Sequence, residues 1–186
     1  DTDTDTDTDT DTDTDTDTDT DTDTDTEWRP TIFVTDTTTD GDFGLSNPAT
    51  AADAICNADG NRPDTSKTYK ALLGAVGYRD LTTDWPLVAN QAYYRADGTT
   101  LIGTTDADGK LVFDLDSSIA TTDREVWTGL GSNFMLSTTN CFVWGTNLVT
   151  VTGYVGVADR TNGEAIEAYE QFCNRTNVGF YCVEQP

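Results

Sequence analysis

The sequence predicts a domain of the α+β class that follows an extended, non-globular N-terminal segment. Residues 1–26 are thirteen Asp-Thr dipeptides, without a single apolar side chain. The remaining 160 residues contain several short β-like runs separated by Gly, Asn and Asp turn signals, and one well-marked helix near their start. We therefore divide the chain into a repeat stalk, residues 1–26, and one globular domain, residues 27–186, which is long enough to bury a core of its own.

The repeat has nothing to bury, so its shape depends on its charges and on what is attached to it. In an extended strand, every Thr lies on one face and every Asp on the other. Successive carboxylates are then about 6 to 7 Å apart, which is within one Debye length, and their repulsion favours an extended chain of roughly 80 to 86 Å.

Thr-rich repeats of secreted proteins are typical acceptors of O-linked sugars, and sugars on alternate residues would stiffen the backbone. The repeat resembles the Ser-Asp stalks of bacterial surface adhesins and the sugar-coated short-repeat fibrils of environmental microbes. Three alternatives remain open: a ladder of shared calcium ions, a strand donated to another subunit's sheet, and a passive linker. The predicted acceptors are Thr2, Thr4, Thr6, Thr8, Thr10, Thr12, Thr14, Thr16, Thr18, Thr20, Thr22, Thr24 and Thr26.

The first elements of the domain lie between residues 31 and 60. Residues 31–35 are β-branched and aromatic and predict a strand, which we expect at an edge of its sheet, and the acidic stretch 36–42 predicts a loop. A helix is expected to begin at Ser46-Asn47-Pro48, which offers a cap and a first-turn proline, and to end at Asp59-Gly60. Its apolar face is predicted to contain Ala51, Ala52, Ala54, Ile55 and Cys56.

Later in the chain the expected elements are short. Candidate strands lie at 69–76, 101–102, 111–115, 126–130, 141–145 and 179–183, with turn signals at 96–98 and 107–109. Asp106-Ala107-Asp108-Gly109 looks like half of an EF-hand, but the position that requires Glu is Ser117, so a hairpin turn is predicted. Short strands in mixed sheets with one or two helices form an α+β domain.

The charge of the chain excludes two classes of partner. The formal net charge is −24, and the 160 residues after the repeat still carry 21 acidic against 10 basic residues. A polyanion is repelled by phosphate backbones and by anionic lipid headgroups, so nucleic-acid and membrane-surface binding are not expected. The sequence also lacks a run of 18 apolar residues, so membrane insertion is not expected either.

Four cysteines and the absence of histidine favour disulfides over zinc. Cys56, Cys141, Cys173 and Cys182 contain no closely spaced pair of the kind that zinc sites use. Two disulfides imply an oxidising compartment, hence an extracellular or cell-surface location. Four cysteines can pair into two disulfides in three ways, and the spacing does not choose between them.

The domain resembles endostatin and its bacterial surface-protein relatives, which have a C-type-lectin-like fold. The resemblance spans about residues 31–184 and rests on the runs 51–56, 69–73 and 181–184, on the cysteine order, and on Trp127-Thr128-Gly129-Leu130, which is similar to a C-type-lectin strand motif. It implies that the first cysteine pairs with the last, Cys56 with Cys182, and that Cys141 pairs with Cys173.

The chain lacks the ligand-binding motifs of the proteins that it resembles. The Glu-Pro-Asn or Gln-Pro-Asp loop and the Trp-Asn-Asp strand that hold calcium in sugar-binding lectins are absent, and the histidines of the endostatin zinc site are absent too. The fold is therefore expected without calcium-dependent sugar recognition and without zinc. No cofactor is required, and covalent glycans are the only expected non-protein groups apart from calcium at one loop.

That loop contains Asp36, Asp40 and Asp42, whose carboxylates are suited to calcium if they converge. A solvated acidic turn is the alternative, and the composition favours it. Among the tryptophans, the strand context predicts burial for Trp127 and Trp144, whereas Trp28 and Trp85 remain open. Asn174-Arg175-Thr176 is an N-glycosylation sequon.

Catalysis finds little support in the sequence. There is no histidine base, no nucleophile elbow and no phosphate-binding loop. Glu164 and Glu167 are spaced for acid-base work, but equally for a solvent-facing helix. We expect a non-enzymatic structural component of an extracellular fibre or stalk that can self-assemble. The alternative is a surface adhesin whose lectin-like head binds a glycan or protein while the repeat is only a spacer.

Overall fold

A computed structural model describes residues 28–44 and 46–186 of the protein. The Asp-Thr repeat, with its thirteen predicted glycosylation sites, lies outside the described residues. In the described part, no helix is both long enough and apolar enough to cross a membrane.

The described residues form eight short strands and two short helices, together with one 3₁₀ turn, so the domain belongs to the α+β class. The strands are β1 (Thr31–Val34), β2 (Tyr69–Ala71), β3 (Ala92–Arg95), β4 (Leu101–Thr104), β5 (Glu125–Trp127), β6 (Thr152–Val157), β7 (Tyr169–Phe172) and β8 (Tyr181–Glu184). The helices are α1 (Pro48–Ala58) and α2 (Cys141–Trp144), and the 3₁₀ turn is Gly163–Ala165.

Five strands form a mixed sheet in the order β2-β8-β1-β3-β4. β1 pairs antiparallel with β8 and parallel with β3, and the remaining pairs in this sheet are antiparallel. All four residues of the internal strand β8 are buried. The expectation that β1 lies at an edge is wrong: β1 is internal, because its first three residues are buried and both of its edges are paired.

The other three strands form an antiparallel sheet in the order β5-β6-β7. β7 is an edge strand and is largely exposed, whereas four of the six residues of β6 are buried. Two clusters of buried side chains fill the domain. One surrounds Tyr93 and Ile102, and the other surrounds both disulfides, Trp127 and Trp144.

α1 begins and ends where its capping residues predict. The side chain of Asn47 accepts a hydrogen bond from the backbone N–H of Thr50 at 3.1 Å, and Pro48 occupies the first turn. The buried face consists of Pro48, Ala49, Ala52 and Cys56. Ala54, which we expected on that face, is exposed, because the observed face follows the spacing of three and four residues from Ala49.

Several predicted strands are shorter than expected or absent. The run 69–76 is a strand only at residues 69–71, and 111–115 forms only a single bridge between Leu111 and Thr105. The predicted strand 141–145 is instead the helical turn α2. β8 lies within two residues of its predicted position and β5 within three, and β3, β6 and β7 were not predicted.

Candidate functional site

Two disulfides fix the frame of the domain. Cys56 in α1 is bonded to Cys182 in β8, and Cys141 in α2 is bonded to Cys173 immediately after β7. This is the pairing that the resemblance implies. The first bond joins the helix to the five-stranded sheet, and the second joins α2 to the end of the three-stranded sheet.

A buried arginine completes this frame. The side chain of Arg79 is fully buried and donates to both carboxylate oxygens of Asp53 in α1, at 2.8 and 2.7 Å, to the Ala71 carbonyl oxygen of β2 at 2.9 Å, and to Asp84. Burial opposes the charge, but the carboxylates of Asp53 and Asp84 outweigh it and raise the pKa of Arg79. Since every contact of this guanidinium is internal, the network is structural.

α2 is a left-handed turn, which is rare for residues other than glycine. Its four residues, Cys141 to Trp144, have φ angles of 53°, 51°, 56° and 61°. Left-handed helical geometry costs roughly 1 to 2 kcal/mol per L-residue, so the surrounding structure has to hold it in place.

Hydrogen bonds and packing supply that support. The Asn140 side chain accepts from the Val143 N–H at 2.9 Å, and the Asn140 carbonyl oxygen accepts from the Trp144 N–H at 2.8 Å. The Trp144 indole is fully buried, lies 5.6 Å from the ring of Trp127, and donates to the Gly74 carbonyl oxygen at 2.8 Å. Both ends of the turn are therefore anchored in the core.

The middle of the turn is displayed to solvent. Phe142 is 68% exposed, between the disulfide-bonded Cys141 and a partly exposed Val143. Three more large apolar side chains lie in segments that meet at the same disulfide: Leu148 is 54% exposed, Val149 62% and Phe172 53%. We call these four residues the Phe142 patch.

The segments of the Phe142 patch are held together by backbone contacts. Phe172 precedes Cys173 and pairs with Thr152, and the Cys173 N–H donates to the Val151 carbonyl oxygen at 2.9 Å. The Val151 N–H in turn donates to the Leu148 carbonyl oxygen at 3.3 Å. The exposed apolar residues thus occupy one disulfide-braced corner of the domain.

The predicted acidic loop borders this corner. The Gly41 N–H donates to the Cys173 carbonyl oxygen at 2.6 Å, Asp42 forms a bridge with Gly145, and Asp40 accepts from the Asn147 side chain at 3.1 Å. Glu170 of β7, which accepts from the Thr152 hydroxyl at 2.7 Å, adds a further carboxylate. The Phe142 patch therefore has an acidic rim of three carboxylates, which is interrupted by Arg175, whose backbone N–H donates to the Phe172 carbonyl oxygen at 3.0 Å.

The three aspartates considered as calcium ligands have different partners. Asp36 points to Arg124, with 3.6 Å between its carboxylate and the guanidinium, whereas Asp40 accepts from the Asp42 backbone N–H at 3.0 Å. Over residues 28–44 and 46–186, no group of three or more His, Cys, Asp or Glu side chains is arranged to hold a metal ion. The structure does not bring Asp36, Asp40 and Asp42 into one cluster.

The remaining residues that the sequence analysis named do not form a common site in the described part of the chain. Trp127 and Trp144 are core residues, and Trp85 is partly buried and donates from its indole to the Gly109 carbonyl oxygen at 2.8 Å. The sequon Asn174-Arg175-Thr176 lies exposed directly after Cys173. Glu164 belongs to the 3₁₀ turn, while Glu167 accepts from the Ser132 N–H at 2.7 Å, so these two residues do not form the solvent-facing helix considered above.

The sequence reasoning missed the Phe142 patch. Residues 141–145 are apolar and adjacent to a cysteine, which predicted a buried strand, and only Cys141 and Trp144 of this run are fully buried. The available signal was Leu148-Val149, two large apolar residues within a Thr- and Asn-containing stretch that lacks any strand alternation.

A comparison with curated proteins gives no match for this chain. Residues 36–161, about two thirds of the chain, match the family described as "Protein of unknown function (DUF1554)". This stretch includes α1, the left-handed turn and most of both sheets. The chain therefore belongs to the DUF1554 family.

Proposed function

We propose that this chain is a non-enzymatic, extracellular binding protein whose disulfide-braced head recognises a protein ligand through the Phe142 patch. In this proposal the head is C-type-lectin-like, and the O-glycosylated Asp-Thr repeat is the stalk that carries it. The observation on which the proposal rests is the left-handed turn that displays Phe142.

Backbone strain of this kind is typical of functional sites. Four consecutive residues with positive φ lower the stability of the fold, and an exposed phenylalanine gains no burial energy to offset that cost. Exposed aromatic and large aliphatic side chains gathered at one site are typical of protein interfaces, in which aromatic residues contribute most of the binding energy. The Phe142 patch has this composition on a rigid support.

The rim determines which partner fits. Asp40, Asp42 and Glu170 surround an apolar centre, and the whole chain has a formal net charge of −24. A ligand that offers an apolar or aromatic anchor flanked by Lys or Arg would complement both features. An acidic partner would be repelled.

The fibre interpretation stays a second candidate that depends on the repeat. The cysteine pairing that joins α1 to the last strand supports the lectin-like part of the proposal, since it is the pairing expected from that resemblance. Self-assembly would rest on residues 1–26, and the described surface adds no observation in its favour.

The test uses the full chain as bait for a random peptide-display library. We expect the selected peptides to combine an aromatic residue with Lys or Arg and to bind with affinities that fall as salt rises. Phe142→Ser should reduce binding of these peptides by about tenfold or more, because it removes the central apolar anchor.

Val112→Ser is the matched control. Val112 is also a large apolar residue with about half of its surface exposed, but it belongs to the segment next to the 106–110 turn. Its substitution should leave peptide binding unchanged. Peptides that bind the Phe142→Ser protein as well as the unaltered chain would refute the proposal.

A further inference from the structure

A cleft that shares no residue with the Phe142 patch lies beside the end of β3. β3 ends at Arg95, which is opposite Ile32, so β1 continues for two residues past its parallel neighbour. A cleft of about 430 Å³ occupies the space that β3 leaves beside Phe33, Val34 and Thr35. Its volume is within the range of small-molecule sites.

Two guanidinium groups line this cleft, in a protein that contains only 10 basic residues. Arg95 is held in place by Ser118: its Nε donates to the Ser118 carbonyl oxygen at 2.7 Å, and its Nη2 donates to the Ser118 hydroxyl at 2.8 Å. The Ser118 hydroxyl itself donates to the Ala120 carbonyl oxygen at 2.8 Å. Arg95 is thus fixed in position, so binding a ligand would cost it little side-chain entropy.

Arg124 is the second guanidinium and is only partly satisfied. Its Nη2 donates to the Asp36 carbonyl oxygen at 2.7 Å, and its Nη1 lies 3.6 Å from the Asp36 carboxylate. Its Nε is buried, and no acceptor among the described residues reaches it. An anion in the cleft would be attracted by the positive charge of this guanidinium as a whole and would not bond to the buried Nε.

The remaining polar groups of the cleft limit the charge of a ligand. Asp97 lines it as well, but its carboxylate accepts hydrogen bonds from the backbone N–H groups and hydroxyls of Thr99 and Thr100, and so is bound within the β3–β4 turn. Asp36, which lies 3.6 Å from Arg124, offsets part of the charge of that guanidinium, so the cleft suits a ligand with no more than one negative charge. Thr121, Thr122 and Asn61 add donors and acceptors that suit hydroxyl groups.

We propose that this cleft binds a carboxylate-bearing sugar, with the carboxylate between Arg95 and Arg124 and the ring hydroxyls on Thr121, Thr122 and Asn61. Guanidinium groups bind planar carboxylates well. A doubly charged phosphate fits less well, because the neighbouring cavity is lined by Asp36, Asp123 and Glu125, which would repel it. The site would act independently of the Phe142 patch.

The experiment titrates the full chain with D-glucuronate while backbone amide signals are followed by NMR. We expect saturable shifts at Thr35, Ala96 and Ala120, which line the cleft, and none at Phe142 or Phe172. Glucose, which lacks the carboxylate, should bind at least about tenfold more weakly. Inorganic phosphate should also bind more weakly than glucuronate.

Variants separate binding from folding. Arg95→Gln and Arg124→Gln should each weaken glucuronate binding by about tenfold. Arg95→Lys keeps the charge but loses the paired donor geometry, so its affinity for glucuronate should lie between those of the unaltered chain and of Arg95→Gln. Arg160→Gln, which removes a half-exposed arginine outside the cleft, should bind as the unaltered chain does.

Four results would overturn the inference: no shifts at the cleft residues, equal binding of glucose, equal binding of phosphate, or weakened binding in Arg160→Gln. Equal phosphate binding would show a bare anion site without sugar recognition. A loss of binding in Arg160→Gln comparable to that in Arg124→Gln would show a general charge effect. None of these outcomes bears on peptide binding at the Phe142 patch.

Discussion

Among single residues, Asp59 connects the end of α1 to the loop that follows β1. Its buried carboxylate accepts from the backbone N–H groups of Asp36 at 3.1 Å, Thr37 at 2.8 Å and Asn61 at 2.8 Å. Burial opposes the charged form, but these donors outweigh it and lower the pKa of Asp59. Asp59→Asn should therefore reduce the free energy of unfolding at pH 7 by about 2 kcal/mol, measured by urea denaturation.

The pH dependence of this effect follows from the direction of the shift. Because the pKa of Asp59 is lower in the folded chain than the usual value of about 3.9, its charge contributes stability above that value, and this contribution is lost as the pH falls through the folded pKa. Asp59→Asn should flatten the acid limb of the stability curve. Asp123→Asn, at an exposed position, should change stability by less than about 0.5 kcal/mol. An unchanged acid limb in Asp59→Asn would contradict this account.

Gly156 in β6 allows the backbone to approach the 3₁₀ turn closely. A Cβ at this position would overlap the Ala165 carbonyl oxygen and lie 2.8 Å from the Ala165 carbonyl carbon. Gly156→Ala should destabilise the domain by about 3 kcal/mol, because backbone atoms cannot move aside as a flexible side chain can. The measurement is the urea midpoint, with Gly60→Ala as control.

Gly60 has open space where a Cβ would lie, so its substitution should cost nothing or slightly stabilise the chain. Equal effects of the two substitutions would show that the close approach at Gly156 is unimportant. The sequence alone does not predict the need for glycine at position 156, because that need comes from a neighbour nine residues later. The full burial of Arg79 likewise depends on two carboxylates that only the fold brings together.

Among the secondary-structure elements, the left-handed turn α2 allows a direct test of backbone strain. Val143 is β-branched and has a φ of 56°, a combination that glycine would adopt without penalty. Val143→Gly should leave the free energy of unfolding unchanged or raise it by up to about 1 kcal/mol. Val76→Gly, at an exposed valine without positive φ, should lower it by about 1 kcal/mol.

Binding provides the second measurement on this turn. Val143→Gly leaves Phe142 in place but loosens its support, so the selected peptides should bind more weakly even though the domain is no less stable. A domain destabilised by Val143→Gly as much as by Val76→Gly would contradict the assignment of strain to this turn.

The elements that the sequence predicted are those with strong local signals. α1 has an Asn cap, a first-turn proline and a buried face, and β1 and β8 consist mainly of β-branched and aromatic residues with one polar residue each at an end. β6 escaped prediction because Gly153 and Gly156 interrupt it, and both glycines are needed for close packing. β7 escaped because its side chains are mostly exposed, and α2 because a left-handed turn has no local signal in the run Cys-Phe-Val-Trp.

For the whole molecule, the acidic charge makes ligand binding depend on salt. The head alone carries a net charge of −11, so a basic ligand is attracted over about one Debye length, near 8 Å at physiological ionic strength. Raising the ionic strength should weaken peptide binding mainly through the association rate. Deleting the repeat removes 13 negative charges but no residue of the Phe142 patch, and should change binding much less than Phe142→Ser does.

The last prediction concerns the repeat itself. A chain with alternating carboxylates and hydroxyls gains its stiffness either from repulsion alone or from repulsion together with sugars on its Thr hydroxyls. In material from the native source, the proteolytic fragment that contains residues 1–26 should have a mass above that of its sequence by whole numbers of sugar residues. The fragment 27–186 from the same digest is the internal control, in which Asn174 is the one sequon. A repeat fragment whose mass equals that of its sequence would remove the sugars from the stalk, and the head would then be carried by a linker extended only by its own charge.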